Sequence, residues 1–286
     1  MSTPARQVSG LASAATLRAR LNASDAGIPV LPALAERVIA QAADPDTPVW
    51  RIAGVVSKDQ VLASRLLGLA NSAYCAPLSP IATVTEAIVR MGTAAVRNLV
   101  VTVCFTSRMY DQHIYGPHGQ ALVEHGLGTA YLARLVAERG GVNPEEAFLY
   151  GLLHDIGKLV ILKAVFDESR KSGARPPAPV VDQVMAEEHA GLGARVLERW
   201  QLPREIVEPV AWHHHPDCAP TSRRRALVAH LADRLSHRFG FGVPARPDAL
   251  VVDDPYAREI GLDEAWLADI DAHAPGLVQV AKSILA

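Results

Sequence analysis

Apolar residues recur at intervals of three and four along most of the chain, the spacing that lines side chains up on one face of an α-helix. Leu34, Val38 and Ala42 form one such stripe, and Leu62, Leu66 and Leu69 another, with Val55 and Val56 just upstream. A third stripe runs from Leu122 to Arg139 through Leu127, Tyr131, Leu132 and Leu135, and Gly140-Gly141 predicts its stop. Asn143-Pro144-Glu145-Glu146 supplies an N-cap, a proline suited to the first helical position and two carboxylates facing the positive helix end, so the next helix is predicted to start at about 144. Its apolar residues, Phe148, Leu149, Leu152, Leu153 and Ile156, run on to Gly157, where a left-handed cap is predicted. Asp182 is predicted to cap a helix reaching Trp200, and Leu202-Pro203 opens another. Two terminal helices are predicted over Glu264 to Ile270 and Leu277 to Leu285.

Twenty prolines and twenty glycines cut the chain into pieces of helical length. The clearest predicted loop spans Lys171 to Pro179, where three prolines fall within four positions, and a second break runs from Phe239 to Pro247. Val100 to Phe105 and Leu159 to Leu162 have the composition of buried strands, but no hairpin signal lies nearby and an isolated strand has no partner for its backbone groups. The pattern therefore predicts an all-α fold: an N-terminal helical bundle packed on a second helical bundle. Its predicted parts are a loosely attached leader over 1–24, an N-terminal helical subdomain over 25–118, a histidine-bearing subdomain over 119–240 and C-terminal helices over 241–286.

Composition bounds the function. With 28 Lys plus Arg against 30 Asp plus Glu, the formal charge is -2, which lacks the cationic field a dedicated nucleic-acid or acidic-membrane binder needs. Aromatic residues are 5%, leaving few platforms for stacking bases, so nucleic acid is not an expected partner. The AVILMFWYC set makes up 49%, enough to build a core in a chain of 286 residues. No apolar run reaches the roughly 18 to 20 residues that cross a bilayer. The segment Leu11 to Ala15 is too short and too weakly hydrophobic for a signal peptide. A cytoplasmic protein with no membrane association is expected. Cys75, Cys104 and Cys218 lie far apart without CxxC spacing and are expected to be packed or partly exposed thiols.

Chemistry is concentrated in the histidines. Of the 11, His125, His154, His189 and the run His213-His214-His215 fall in a segment that also carries Asp155 and Asp233, each on or at the end of a predicted helix. A bundle can turn such residues toward one centre. Imidazoles mixed with carboxylates, without thiolate, suit iron, manganese or another first-row divalent ion. Two ions are expected, because in His154-Asp155 the ring can serve one while the carboxylate bridges to the second. Lys158, four residues after His154, can bring an ammonium to the open side of such a centre.

Gly151-Leu152-Leu153-His154-Asp155-Ile156-Gly157-Lys158 resembles the HD superfamily of metal-dependent phosphohydrolases, named for its His-Asp doublet. The resemblance implies metal ligation by His125, His154, Asp155, His189, His213, His214 and Asp233. It also implies catalytic roles for Asp155 and for Lys158, the latter beside a substrate phosphate. The cofactors implied are two divalent ions, iron or manganese ahead of magnesium, nickel or zinc.

From Ile28-Pro29-Val30-Leu31-Pro32 onward the chain is similar to the HDOD family, the HD-related output domain of bacterial signalling proteins. Leu66 to Tyr74, Met91-Gly92, Val96 to Leu99, His189 to Ala194, Trp200 to Pro203 and His213 to Pro216 carry the likeness over roughly residues 25 to 220. It implies a signalling output or scaffold module bound to another signalling protein. The alternative it leaves open is an active phosphohydrolase acting on a nucleotide or other phosphoester. Three departures stand out. Gln60 replaces the family's usual proline after Asp59, Pro209 is expected to kink the segment leading to His213 and His214, and no Gly-Tyr-Pro tripeptide follows the histidines. Cyclic di-GMP specificity is therefore not implied. Since no receiver or second catalytic domain is visible, the input is expected to arrive from another molecule. Arg97 and Arg223-Arg224-Arg225 are expected to be solvated cations, the latter on a loop, and Asn71-Ser72 a polar turn.

Overall fold

The computed structural model describes residues 14–23, 28–71, 77, 79–107, 111–246, 254–272 and 276; the predicted helix over Leu277 to Leu285, together with Cys75 and Ser72, lies outside them. Among the described residues every regular element is helical, so both candidate strands are helices. Val100 to Phe105 belongs to a helix whose residues 100, 101, 103, 104 and 105 are all buried, and Leu159 to Leu162 is equally enclosed. A helix surrounded on all sides reads as a continuous apolar run, which is why periodicity cannot distinguish it from a buried strand.

The first group of helices is α2 (Ala33–Ala43), α3 (Val49–Val56), α4 (Gln60–Ala70), α5 (Val84–Met91) and α6 (Thr93–Ser107). Local chemistry starts and stops them. Asp59 accepts from the backbone N–H groups of Val61 and Leu62 at 3.1 Å, so Gln60 is simply the first helical residue and the missing proline costs little. Thr83 and Glu86 form a reciprocal capping box at the start of α5. At Gly92 the chain turns 112° between α5 and α6. Leu62, Leu66, Ile52, Val38 and Ile88 close the core of this group.

The second group is α7 (Gln112–Gly140), α8 (Pro144–Leu153), α9 (Ile156–Ser172), α10 (Ala178–Arg199), α11 (Arg204–Trp212) and α12 (Arg223–Phe239). Helix α7 is longer than its apolar stripe because a kinked first turn, broken at Gly116 before Pro117, precedes it. Gly141 ends it in the left-handed conformation, and Asn143 caps α8 through the N–H groups of Glu145 and Glu146, as the sequence predicts. The proline-rich loop is shorter than predicted, since Pro179 fits in the first turn of α10, where no backbone donor is required. That earlier start leaves Asp182 inside α10, and Pro177 rather than Asp182 stands at its N-cap. Helix α13 (Pro255–Glu259) and a helix over 264–272 follow.

Three expectations about the surface change. Residues 14–23 of the predicted leader form a helix, α1 (Ala14–Ala23), packed on α9 and α10 with Leu17 and Leu21 buried and Arg18 paired with Glu187 and Glu188. The arginine run opens α12 instead of lying on a loop. Arg223 pairs with Asp217 and Glu259, Arg224 donates to the Gly140 carbonyl, and Arg225 holds Glu146 at 3.0 Å. Arg97 is likewise half-buried where α6 meets α8, beside Asn98, whose amide donates to the Glu145 carbonyl at 2.7 Å. No single helix among the described residues is long and apolar enough to cross a membrane.

Candidate metal centre

The His-Asp doublet sits in the break between two helices. His154 keeps helical angles (φ -55, ψ -34) as the last residue of α8's run, Asp155 leaves them (φ -100, ψ 8), and α9 begins at Ile156. Gly157 does not cap α8 with a positive φ; it lies in the first turn of α9. Its role is close approach. A Cβ there would stand 2.0 Å from the His189 carbonyl oxygen and 2.7 Å from the Gly193 nitrogen, so the bare backbone is what lets α10 press against α9 and carry His189 to Asp155.

His213 and His214 follow α11, which stays helical through Pro209, and His213 keeps helical angles (φ -60, ψ -24). The expected displacement does not occur. The carbonyl four residues before Pro209 belongs to exposed Glu205, where water can replace the missing donor. Glu208, buried on the same helix, accepts from the Thr221 hydroxyl at 2.9 Å and the Ser222 N–H at 2.6 Å, tying α11 to the start of α12, the helix that carries Asp233.

Backbone carbonyls orient the rings. His154 Nδ1 donates to the Gly151 carbonyl at 2.8 Å, His189 Nδ1 to Met185 at 2.5 Å, His213 Nδ1 to Val210 at 2.8 Å and His125 Nδ1 to Phe241 at 3.2 Å. Because a carbonyl only accepts, each Nδ1 carries the proton and each Nε2 is turned to the interior. There His125 Nε2 stands 2.9 Å from Asp233 Oδ1 and 3.7 Å from Asp155 Oδ2, and His154 Nε2 is 3.5 Å and 3.4 Å from the same two oxygens. His189 Nε2 is 3.4 Å from Asp155 Oδ1, 3.4 Å from His213 Nε2 and 3.0 Å from His214 Nε2. All seven ligand candidates named from the sequence thus meet in one place.

Charge and burial pull against each other here. Burial works to lower the His154 pKa, but the carboxylates of Asp155 and Asp233 hold it up, to about 10. Burial works to raise Asp155 and Asp233, yet the surrounding histidines, with Lys158 beside Asp155, keep both carboxyls well below their usual range. Burial lowers His189 and His213, and it takes His214 to about 4, assisted by the neighbouring His189 ring. The neutral rings of His189, His213 and His214 and the anionic carboxylates are in the protonation states a divalent cation requires, while His154, held as a cation by its two aspartates, must release a proton when an ion binds.

The residues fit such an ion. His154 Nε2 and Asp155 Oδ1 are fully buried without a hydrogen-bond partner, a costly condition that bound cations would relieve. The Nε2 atoms of His189 and His213, whose protons are both committed at Nδ1, face one another at 3.4 Å, a contact of lone pairs that a shared cation turns from repulsive to attractive.

Lys158 donates to Asp155 Oδ2 at 2.5 Å and lines a cavity of about 930 Å³ that opens onto the cluster. The apolar part of its wall includes Leu122, Leu162, Met185 and Trp212. His237, absent from the sequence-derived set, also lines it, with Nε2 3.5 Å from Asp233 Oδ1 and its ring 4.9 Å from that of His125. Its signal was available: His237 follows Asp233 by four residues on one helix and shares its face. His215, the third of the histidine run, lines the cavity without joining the cluster.

An all-helical domain with a buried histidine–aspartate centre in the break between two helices is an HD-type fold. The chain belongs to the HDOD family, whose domain model matches residues 28–216. The structure is similar to that of a Geobacter sulfurreducens HDOD domain protein, with a TM-score of 0.71 at 23% identity, covering 95% of this chain and 98% of that one. An uncharacterized Treponema pallidum protein is 26% identical over 220 residues, 74% of this chain and 42% of that protein. Ribonuclease Y of Thermus thermophilus is 31% identical over 124 residues, 43% of this chain and 18% of the ribonuclease. The chain thus spans less than half the length of either relative.

Proposed function

We propose that this chain is a signal-transduction output module whose HD-type centre holds two divalent ions and recognises a phosphate-bearing ligand. The observation that carries the reading is the pair of buried, unpartnered ligand atoms, His154 Nε2 and Asp155 Oδ1, where five histidines and two aspartates converge. The two oxygens of Asp155 face separate groups, Oδ2 toward His125 and His154, Oδ1 toward His189 and its neighbours His213 and His214. That division supports a bridging carboxylate between two ions. Nitrogen and oxygen donors without thiolate favour iron or manganese, with magnesium, nickel or zinc as further choices. The partner is another signalling protein in the cytoplasm, and the exposed Val30, just before α2, with Trp50, Val61 and Val89 on the N-terminal helices, supply apolar surface for it.

A second reading, hydrolysis of a nucleotide or other phosphoester, is favoured by the large cavity and by Lys158 on its wall. Bound divalent ions would supply Lewis acidity and acidify a water molecule. Lys158 would steady the phosphoryl group, with Asp155 orienting the ammonium through the contact it already makes. The segment shared with ribonuclease Y makes a phosphodiester the first substrate to try.

Elemental analysis after purification without chelator tests the first reading, which requires iron or manganese bound by the wild-type chain and lost in Asp155→Ala. Turnover of an aryl phosphodiester with added manganese, abolished in the same variant, would promote the second. Apo protein from metal-replete growth, with Asp155→Ala equally stable, removes both.

A further inference from the structure

We propose that His237 is an additional metal ligand, closing the cavity side of the ion held by His125 and Asp233; this rests on the metal-centre reading above. Asp233 Oδ1 is the hub of this corner, 2.9 Å from His125 Nε2, 3.5 Å from His154 Nε2 and 3.5 Å from His237 Nε2. Ligand atoms of His125, Asp233 and His237 all lie within 4.8 Å of one another, close enough to share one cation. His125 and His154 reach that corner from the protein interior, with side chains 3% and 0% exposed, whereas His237 reaches it from the cavity, 34% exposed.

The end of α12 is built to keep the ring there. The His237 carbonyl accepts the Arg246 N–H at 2.9 Å, so the strap over 241–246 folds back on the helix end. The strap is itself pressed on α7, because a Cβ on Gly242 (φ 64) would stand 1.9 Å from the Ala121 carbonyl oxygen. The same strap supplies the Phe241 carbonyl that orients His125. One short segment therefore sets two rings of the same corner.

The chemical consequence divides labour within the centre. With His237 in place the ion at His125 and Asp233 has protein donors on its cavity side as well as its interior side, the closed coordination of a structural ion. The position at His189, His213 and His214 is then the one left to take a phosphate oxygen.

The test is cobalt(II) titration of the full-length metal-free chain, read by visible absorption and by calorimetry, for wild type, His237→Gln and His237→Glu. His237→Gln is expected to weaken one of two binding events by at least about tenfold and to alter its absorption bands, leaving the other unchanged. His237→Glu, which supplies an anionic carboxylate where glutamine offers only a neutral amide oxygen, is expected to recover most of the affinity. Hyperfine-shifted imidazole N–H resonances of the cobalt-loaded wild type are expected to include one from His237, a readout that needs no variant to fold. Affinity and spectrum unchanged in His237→Gln, or no such resonance, overturns the inference while the centre stands. Wild-type protein that takes up no cobalt overturns the centre and the inference together.

Discussion

Between residues 28 and 107 the buried polar side chains of the described chain are Asn98 and Thr102, while between 111 and 246 they include His125, His154, Asp155, His189, His213 and Asp233, with Glu168 and Glu208 besides. The large apolar side chains left exposed run the other way: Val30, Trp50, Val61 and Val89 all belong to the first region. Among the described residues the first region buries no histidine or carboxylate and leaves apolar surface outside; the second encloses charge at a cost to its own folding. Buried ionisable groups without full pairing are expensive, so a chain keeps them where a ligand compensates. This contrast is what motivates the proposal of a metal centre in the second region and a partner surface on the first.

The contrast is broken most severely at Asp155. Asp155→Ala is expected to reduce metal affinity more than about 100-fold, and to cost about 3–5 kcal/mol by leaving Lys158 and His154 without their counter-charge. Leu66→Ala, in the core of the first region, is expected to cost a similar ~2–5 kcal/mol through its cavity, yet leave metal bound per folded chain unchanged. Denaturant titration with elemental analysis separates the two. If Leu66→Ala also empties the centre, the metal site depends on the core of the first region as well as on its own.

Gly157→Ala sharpens the comparison at intermediate size. Its methyl must displace the His189 backbone, for about 1–3 kcal/mol, and metal affinity should fall with it because His189 moves. Acid stability gives the next effect. Burial works to raise the Glu208 pKa, but hydrogen bonds from Thr221, Ser222 and Arg204 outweigh it and hold the folded pKa below the unfolded one. Glu208 therefore stabilises the fold fully above about pH 5, and this contribution is lost as pH falls through its folded value. Wild type should lose stability more steeply than Glu208→Gln between about pH 5 and pH 3 in thermal melts. Parallel acid limbs would remove Glu208 as the tie between α11 and α12. Smallest of all, Trp50→Ser should shift stability by no more than about 0.5 kcal/mol and leave the metal untouched, while weakening capture of a signalling partner.

Much of the site was legible because its signals are local. The doublet His154-Asp155, the cap at Asn143 and the stop at Gly141 are written in adjacent residues, and the structure keeps each of them. What was not legible depended on neighbours remote in the chain. Gly157 has the look of a helix cap, but its lack of a side chain lets His189 and Gly193 of α10, more than thirty residues on, pack against α9. Residues 14–23 have weak helical patterning and are held by contacts remote in the chain: Arg18 with Glu187 and Glu188, Arg20 with Glu168, the Leu21 carbonyl with Arg195, and the apolar seam between α9 and α10. Helix α11 survives Pro209 because the carbonyl left without a donor belongs to exposed Glu205 while Ile206 to Val210 stay buried, which a proline rule applied to the sequence does not foresee.

By itself the sequence determined the all-helical fold, the HDOD family and the inventory of seven ligand candidates, since helical period, capping chemistry and residue type act over a few positions. Tertiary structure alone decided that His125 and Asp233, 108 residues apart, come within 2.9 Å, that His237 joins them, and that the two oxygens of Asp155 face different rings. The reason is physical: a helix fixes which residues share a face, but only the packing of one rod on another decides what that face meets.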